Sequence, residues 1–91
     1  MLSYLVEFLG TLFFTFVIFA TNNYLAIGAS LAVAVFIGSS IEHSVRSFNP
    51  AVAMAQVYAG QLPQKDLIPY ILAQIAGAFA GLELSNMVLH V

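Results

Sequence analysis

Three long apolar stretches separated by short polar segments dominate the hydrophobic pattern of this chain. Positions 2–20 and 24–41 are almost continuously apolar, and a third stretch runs over 67–90. A helix needs about 20 apolar residues to cross the hydrocarbon core of a bilayer, so each stretch is long enough to span it. The pattern predicts an all-α membrane protein with three transmembrane helices, at about 2–20, 24–41 and 67–90.

A fourth apolar stretch is too short to cross. Asn49-Pro50 is a helix-start signal, because Asn caps a helix N-terminus and Pro fits the first helical position. The stretch ends at Gly60, which predicts a helix over about 50–59. Such a helix is roughly 15 Å long, about half of the hydrocarbon thickness. We interpret it as a re-entrant half-helix whose N-terminus, with free N–H groups, lies near the membrane centre; the alternative is a short surface helix with a chance cap.

Composition agrees with a membrane setting. Of the 91 residues, 62% are hydrophobic and 7% are charged, whereas soluble domains carry roughly 25% charged residues. A net charge of −2 with two basic residues argues against nucleic-acid binding. The chain has no cysteine, and neither a metal site nor a cofactor is expected. His43 and His90 lack a Ser or Asp partner at any known catalytic spacing, so we expect no enzyme activity.

A series of spaced matches suggests a family. The matching residues, in chain order, are Glu7-Phe8-Leu9-Gly10-Thr11, Leu31-Ala32-Val33, Ser44, Phe48-Asn49-Pro50-Ala51-Val52, Gly60-Gln61-Leu62-Pro63, Tyr70-Ile71-Leu72-Ala73-Gln74 and Gly77-Ala78. With these residues the chain resembles the N-terminal half of an aquaporin, of the major intrinsic protein family. Asn-Pro-Ala alone is a weak signal, but the series covers nearly the whole chain. The resemblance implies that 1–91 is a single transmembrane domain with the fold of an aquaporin-like half repeat.

The resemblance also implies roles for individual residues. Phe48, Asn49, Pro50, Ala51 and Val52 match the pore motif, in which the Asn side chain caps the half-helix and offers its NH₂ to a passing solute oxygen. A cap without a solute contact is the alternative for Asn49.

Two residues match positions that support the re-entrant loop. Glu7 is expected to accept hydrogen bonds from the loop backbone; as an intramembrane carboxylate it needs such partners, and a proton relay is the alternative. Ser44 is the second supporting residue. Arg46 and His43 are expected at the pore mouth.

Four residues are predicted to mediate helix packing: Gly10, Gln74, Gly77 and Gly81. The glycines are predicted from their size, and the resemblance includes Gly10, Gln74 and Gly77. Small residues let transmembrane helices approach closely. We expect Gln74 and Gly77 to pack between two halves of a pore. Glu83, an acid inside the third span, has no assigned role; it faces either a partner chain or water.

Departures from the family pattern affect selectivity. Ser44-Val45-Arg46-Ser47 stands where the family usually has Ser-Gly-Gly-His. Neither the aromatic nor the Arg of the family's filter is evident, since Ile27 or Ala29 occupies the first position and Val52 the second. The sequence therefore does not predict which solute is conducted.

The function that the resemblance implies is passive conduction of water or small neutral solutes. The family joins two inverted halves whose half-helices meet at the bilayer centre, so we expect this chain to pair with an inverted copy of itself, with a higher oligomer or a parallel ring as alternatives. Arg46 and Lys65 flank the half-helix, which by the positive-inside rule predicts a cytoplasmic N-terminus, although two charges are also compatible with both orientations. A non-conducting structural membrane protein and an ion or proton channel remain the alternative functions.

Overall fold

A computed structural model describes residues 2–41 and 46–89. Four α-helices follow one another: α1 (Leu2–Ala20), α2 (Tyr24–Ile41), α3 (Pro50–Tyr58) and α4 (Leu67–Leu89), with a 3₁₀ turn at Gln64–Asp66 before α4. Three segments, Leu2–Ala20, Tyr24–Ile41 and Gln64–Leu89, are long and apolar enough to cross a membrane. The chain is an integral, multi-pass, all-α membrane protein, and the predicted fold class is confirmed. Where the structure describes the chain, the helix bounds lie within one residue of those expected.

Local signals start and end the helices. The Asn23 Oδ1 atom accepts hydrogen bonds from the N–H groups of Leu25 (2.8 Å) and Ala26 (3.0 Å), which caps α2. At the end of α3 the chain reverses through Gly60, whose φ of +81° is readily adopted by glycine. Arg46, before α3, donates to the Ser3 carbonyl oxygen, and Asp66, before α4, accepts a bond from the Tyr4 hydroxyl. Both segments therefore lie beside the start of α1, so the chain leaves α3 on the side from which it entered.

α1 and α4 pack closely along what we call the α1–α4 seam, formed by Glu7, Thr11 and Thr15 of α1 and by Gln74, Gly77 and Gly81 of α4. A Cβ atom added at Gly77 would lie 2.4 Å from the Phe8 carbonyl oxygen, and one at Gly81 would lie 2.5 Å from the Leu12 carbonyl oxygen. The two backbones are therefore close enough that only glycine fits.

This packing corrects one expectation. Gln74 and Gly77 were expected between two halves, but both are buried within the chain, against α1. Gly81 also packs on α1, whereas Gly10 faces the Phe48 ring instead of α4. The apolar pattern could not distinguish these faces, because α4 is hydrophobic nearly all round.

α2 packs on α1 less closely than α4 does. Between α1 and α2 lies an apolar cavity of about 280 Å³, which we call the α1–α2 groove. Its lining residues are Val6, Leu9, Gly10, Phe13, Val33, Ala34, Ile37, Gly38 and Ile41. Only Ser30, Ala34 and Gly38 of α2 are buried among the described residues.

Candidate functional site

The re-entrant segment is centred on Asn49. Its side-chain Oδ1 accepts a hydrogen bond from the Ala51 N–H (2.8 Å), and Pro50 occupies the first turn of α3. Asn49 and Ala51 are exposed at the start of the helix. Because Oδ1 is used by the cap, the amide NH₂ is the group that Asn49 offers to its surroundings.

The start of α3 lies at mid-height in the bundle. A cavity of about 200 Å³, which we call the tip cavity, adjoins Asn49 and Pro50. Its other lining residues are Thr11, Phe14, Thr15, Phe48, Gln74, Ile75 and Ala78. Thr11 stands at the middle of α1, and Ala78 at the middle of α4. The partial positive charge of the α3 N-terminus is therefore near the centre of the spanning helices.

Glu7 holds the loop that leads to this point. It is fully buried, and its carboxylate accepts hydrogen bonds from the N–H groups of Ser47 (3.1 Å) and Phe48 (2.8 Å) and from Gln74 Nε2 (2.8 Å). This is the contact with the loop backbone that the resemblance implies. With three donors around it, the carboxylate is a fixed acceptor that positions the loop.

Arg46 completes the same cluster. Its Nη1 lies 3.8 Å from Glu7 Oε2, and the two side chains are 1% and 0% exposed. The guanidinium also donates to the Ser3 carbonyl oxygen (3.5 Å) and to the Tyr70 hydroxyl (3.4 Å). Arg46 was expected at the pore mouth; it is instead inside the chain, because the buried Glu7 carboxylate attracts it.

Phe48 has an unusual backbone. Its φ of +56° lies in the left-handed region, which side chains with a Cβ seldom adopt. The N–H bond to Glu7 fixes this conformation, and the ring fills the space left by Gly10, where an added Cβ would lie 2.2 Å from Phe48 Cε1. The absence of a side chain at Gly10 thus makes room for the Phe48 ring where the chain turns into α3.

Sequence reasoning missed Gln56. Its Nε2 donates to the Arg46 carbonyl oxygen (3.1 Å), and its Oε1 accepts a bond from Ser47 Oγ. Gln56 is the one side chain of α3 with an amide, and a lone polar residue in an apolar half-helix was the available signal.

Two buried oxygens beside the tip have no hydrogen-bond partner among the described residues. They are Thr11 Oγ1 and Gln74 Oε1, and both residues line the tip cavity. Because buried polar atoms are nearly always paired, these two oxygens are exceptions, and both lie beside the tip.

The remaining predicted residues lie apart from this cluster. Val52, in the first turn of α3, is 41% exposed. His43 and Ser44 fall outside the described residues, so their predicted roles stay predictions.

Comparison with known proteins gives a consistent set of relatives. The chain is 40% identical over 65 residues to an aquaglyceroporin of Rhizobium meliloti, covering 71% of this chain and 27% of the relative. It is 36% identical over 88 residues to a glycerol uptake facilitator-like protein of Lactiplantibacillus plantarum, with 89% and 41% covered. It is also 36% identical over 99 residues to an aquaporin Z of Rhodopseudomonas palustris, with 94% and 41% covered.

The chain spans less than half the length of these relatives. No family model matches it, and no solved structure matches significantly. The relatives are named as aquaporins, aquaglyceroporins or uptake facilitators, and none of these is an enzyme name. The residue matches, the helical architecture and these similarities agree: the chain is a relative of the aquaporins and glycerol facilitators, with the fold of an aquaporin-like half repeat.

Proposed function

We propose that this protein is a passive channel for water or small neutral solutes, with residues 1–91 acting as one half-pore domain. The observation that carries the proposal is the exposed Asn49 tip at mid-height, with its Oδ1 used by the cap and its NH₂ available to a solute oxygen. The relatives named as aquaporins and glycerol uptake facilitators support the same function.

The pore of this proposal is assembled from two or more copies. α3 has nine residues and covers only about half of the membrane. The exposed tip at Asn49 and Ala51 needs a partner surface or water. A second copy inserted in the opposite orientation brings its own half-helix to the same level, as in transporters built from inverted repeats.

Charge selectivity follows from the tip. Two half-helix N-termini at the membrane centre would form a positive electrostatic barrier that disfavours cations and protons. Glu7, the alternative proton carrier, is buried and bonded to three donors and Arg46. This arrangement favours a structural role over proton transfer.

Osmotic shrinkage of reconstituted vesicles tests the proposal. We expect water permeability above that of empty vesicles, and we expect Asn49→Ala and Asn49→Asp to lower it towards that background, because the donor at the tip is lost or the site becomes negative. Asn22→Ala, in the exposed turn between α1 and α2, is the matched control and should leave permeability unchanged.

Two results would contradict the proposal. Shrinkage equal to that of empty vesicles, at verified incorporation, would favour a structural membrane protein. Steady currents in planar bilayers would favour an ion or proton channel. Repeating the assay with a glycerol gradient separates water conduction from solute conduction.

A further inference from the structure

One acidic residue lies on a membrane-facing surface. The side of α4 opposite the α1–α4 seam, which we call the outer face, consists of exposed residues three or four positions apart: Ile68, Leu72, Ile75, Phe79, Glu83 and Met87. Glu83 is the one charged residue on this face. It lies about 9 Å from the C-terminal end of α4, and it has no hydrogen bond or ion pair within 2–41 and 46–89. A carboxylate exposed to hydrocarbon is costly and calls for a partner.

Few basic side chains in this sequence could form an ion pair with Glu83. The chain has two basic residues, and Arg46 is buried against Glu7. The other, Lys65, has a side chain that is 80% exposed; its pair with the adjacent Asp66, at 3.5 Å, is on the surface and therefore weak. Lys65 is thus the basic side chain that is accessible to another molecule.

Within one copy the two charges are too far apart to interact. Lys65 precedes α4 and Glu83 is near its end, so about 27 Å of helix separates them. Two parallel copies keep the same separation, because both lysines then lie on one side of the membrane and both glutamates near the other.

An inverted copy brings the charges to the same depth. When two α4 helices cross antiparallel, Lys65 of each copy is level with Glu83 of the other if the crossing is at Gln74, which lies midway between them in sequence. Gln74 also lines the tip cavity beside Asn49 and Pro50. The crossing that pairs the charges therefore lies beside the tip cavity, which α4 lines between Gln74 and Ala78.

We propose that the outer face of α4 is an interface with a second, inverted copy of this chain, in which Glu83 of each copy forms an ion pair with Lys65 of the other. The two-fold symmetry of such a dimer gives two identical pairs. The apolar residues of the outer face then pack against each other between them. This inference rests on the proposed function only in that both require an inverted second copy.

Disulfide cross-linking of full-length chains in vesicles tests the interface, since the protein has no cysteine of its own. We expect Lys65→Cys in one copy and Glu83→Cys in another, differently tagged copy to form a heterodimer on mild oxidation. Neither variant alone should form a homodimer, because identical positions lie about 27 Å apart in depth in the inverted arrangement. Homodimers of either single variant would show parallel packing and overturn the proposal.

A third cysteine distinguishes this contact from the wider assembly. Ala51→Cys, at the exposed tip, reports whether tips meet. A tip cross-link without a Lys65–Glu83 cross-link would overturn the α4 interface and leave an inverted dimer through another surface. A Lys65–Glu83 cross-link in vesicles without water permeability would leave the interface standing and contradict the channel.

Charge reversal tests the ion pairs themselves. Glu83→Lys should reduce the dimer fraction several-fold, measured by energy transfer between labelled copies in vesicles, and Lys65→Glu in the same chain should restore it. If the double variant dimerises no better than Glu83→Lys alone, the carboxylate has a partner other than Lys65 and the pairing is wrong.

Discussion

α1 contacts one neighbour through the α1–α4 seam and another through the α1–α2 groove, and the two contacts differ in kind. In the seam, glycines bring the backbones together, and the buried side chains Glu7, Thr11 and Gln74 are polar. In the groove, apolar side chains leave a cavity of about 280 Å³. Lipid tails are as apolar as Leu side chains, so apolar contact alone contributes little to the free energy of helix association. The comparison shows that the half-helix is anchored where packing is close and polar, while α2 is held loosely.

The strongest test of this difference removes the charge of Glu7 from the seam. Glu7→Gln removes the carboxylate that accepts three hydrogen bonds and pairs with Arg46. We expect a loss of about 3–5 kcal/mol in the free energy of unfolding, because a buried Arg is left without its counter-charge. Titration with a denaturing detergent, followed by circular dichroism, measures it.

A double variant sharpens this result. Adding Arg46→Met to Glu7→Gln removes the unpaired cation, so the double variant should lose less than the sum of the two single losses. A loss below about 1 kcal/mol for Glu7→Gln alone would show that the cluster does not anchor the loop.

A smaller effect is expected from Gly77→Ala, which adds one methyl group to the seam. Its Cβ would lie 2.4 Å from the Phe8 carbonyl oxygen, so α1 and α4 must separate. Overpacking of this kind costs about 1–3 kcal/mol. The matched control is Gly28→Ala in α2, where an added Cβ meets nothing within 4 Å and the change should stay within about 0.5 kcal/mol. Equal losses for the two variants in the same titration would remove the contrast between the regions.

The smallest effect should come from filling the groove. Val33 lines the groove and is 45% exposed. The larger side chain of Val33→Phe can therefore extend into open space. We expect a change within about 0.5 kcal/mol in the free energy of unfolding. A loss as large as that of Gly77→Ala would mean that the groove is as closely packed as the seam. The same denaturation assay decides between the two results.

Much of the fold could be predicted because its determinants are local. The lengths of the apolar stretches determine which helices span, and Asn49-Pro50 marks the start of α3. It was harder to predict which face of each helix packs against its neighbours, because a helix that is apolar all round gives no periodic signal. Gly77 was therefore assigned to the wrong interface, although its role in close packing was expected.

The candidate site could be predicted only in part. Asn49 and Glu7 were recognised through the resemblance. The positions of Arg46 and Gln56 depend on contacts between distant segments, and no local pattern reports those. A charged loop residue ordinarily faces water; here the buried carboxylate of Glu7 attracts Arg46 into the interior instead.

The hydrogen bonds of Glu7 also join segments that enter the membrane at different times during synthesis. Its partners at Ser47, Phe48 and Gln74 follow it by 40, 41 and 67 positions. A nascent chain that has inserted α1 and α2 holds a carboxylate with none of these donors, and Gln74 is supplied only when α4 enters the membrane. The full set of hydrogen bonds to Glu7 is therefore completed only once α4 is in place, since contacts distant in sequence form only after the intervening chain is present.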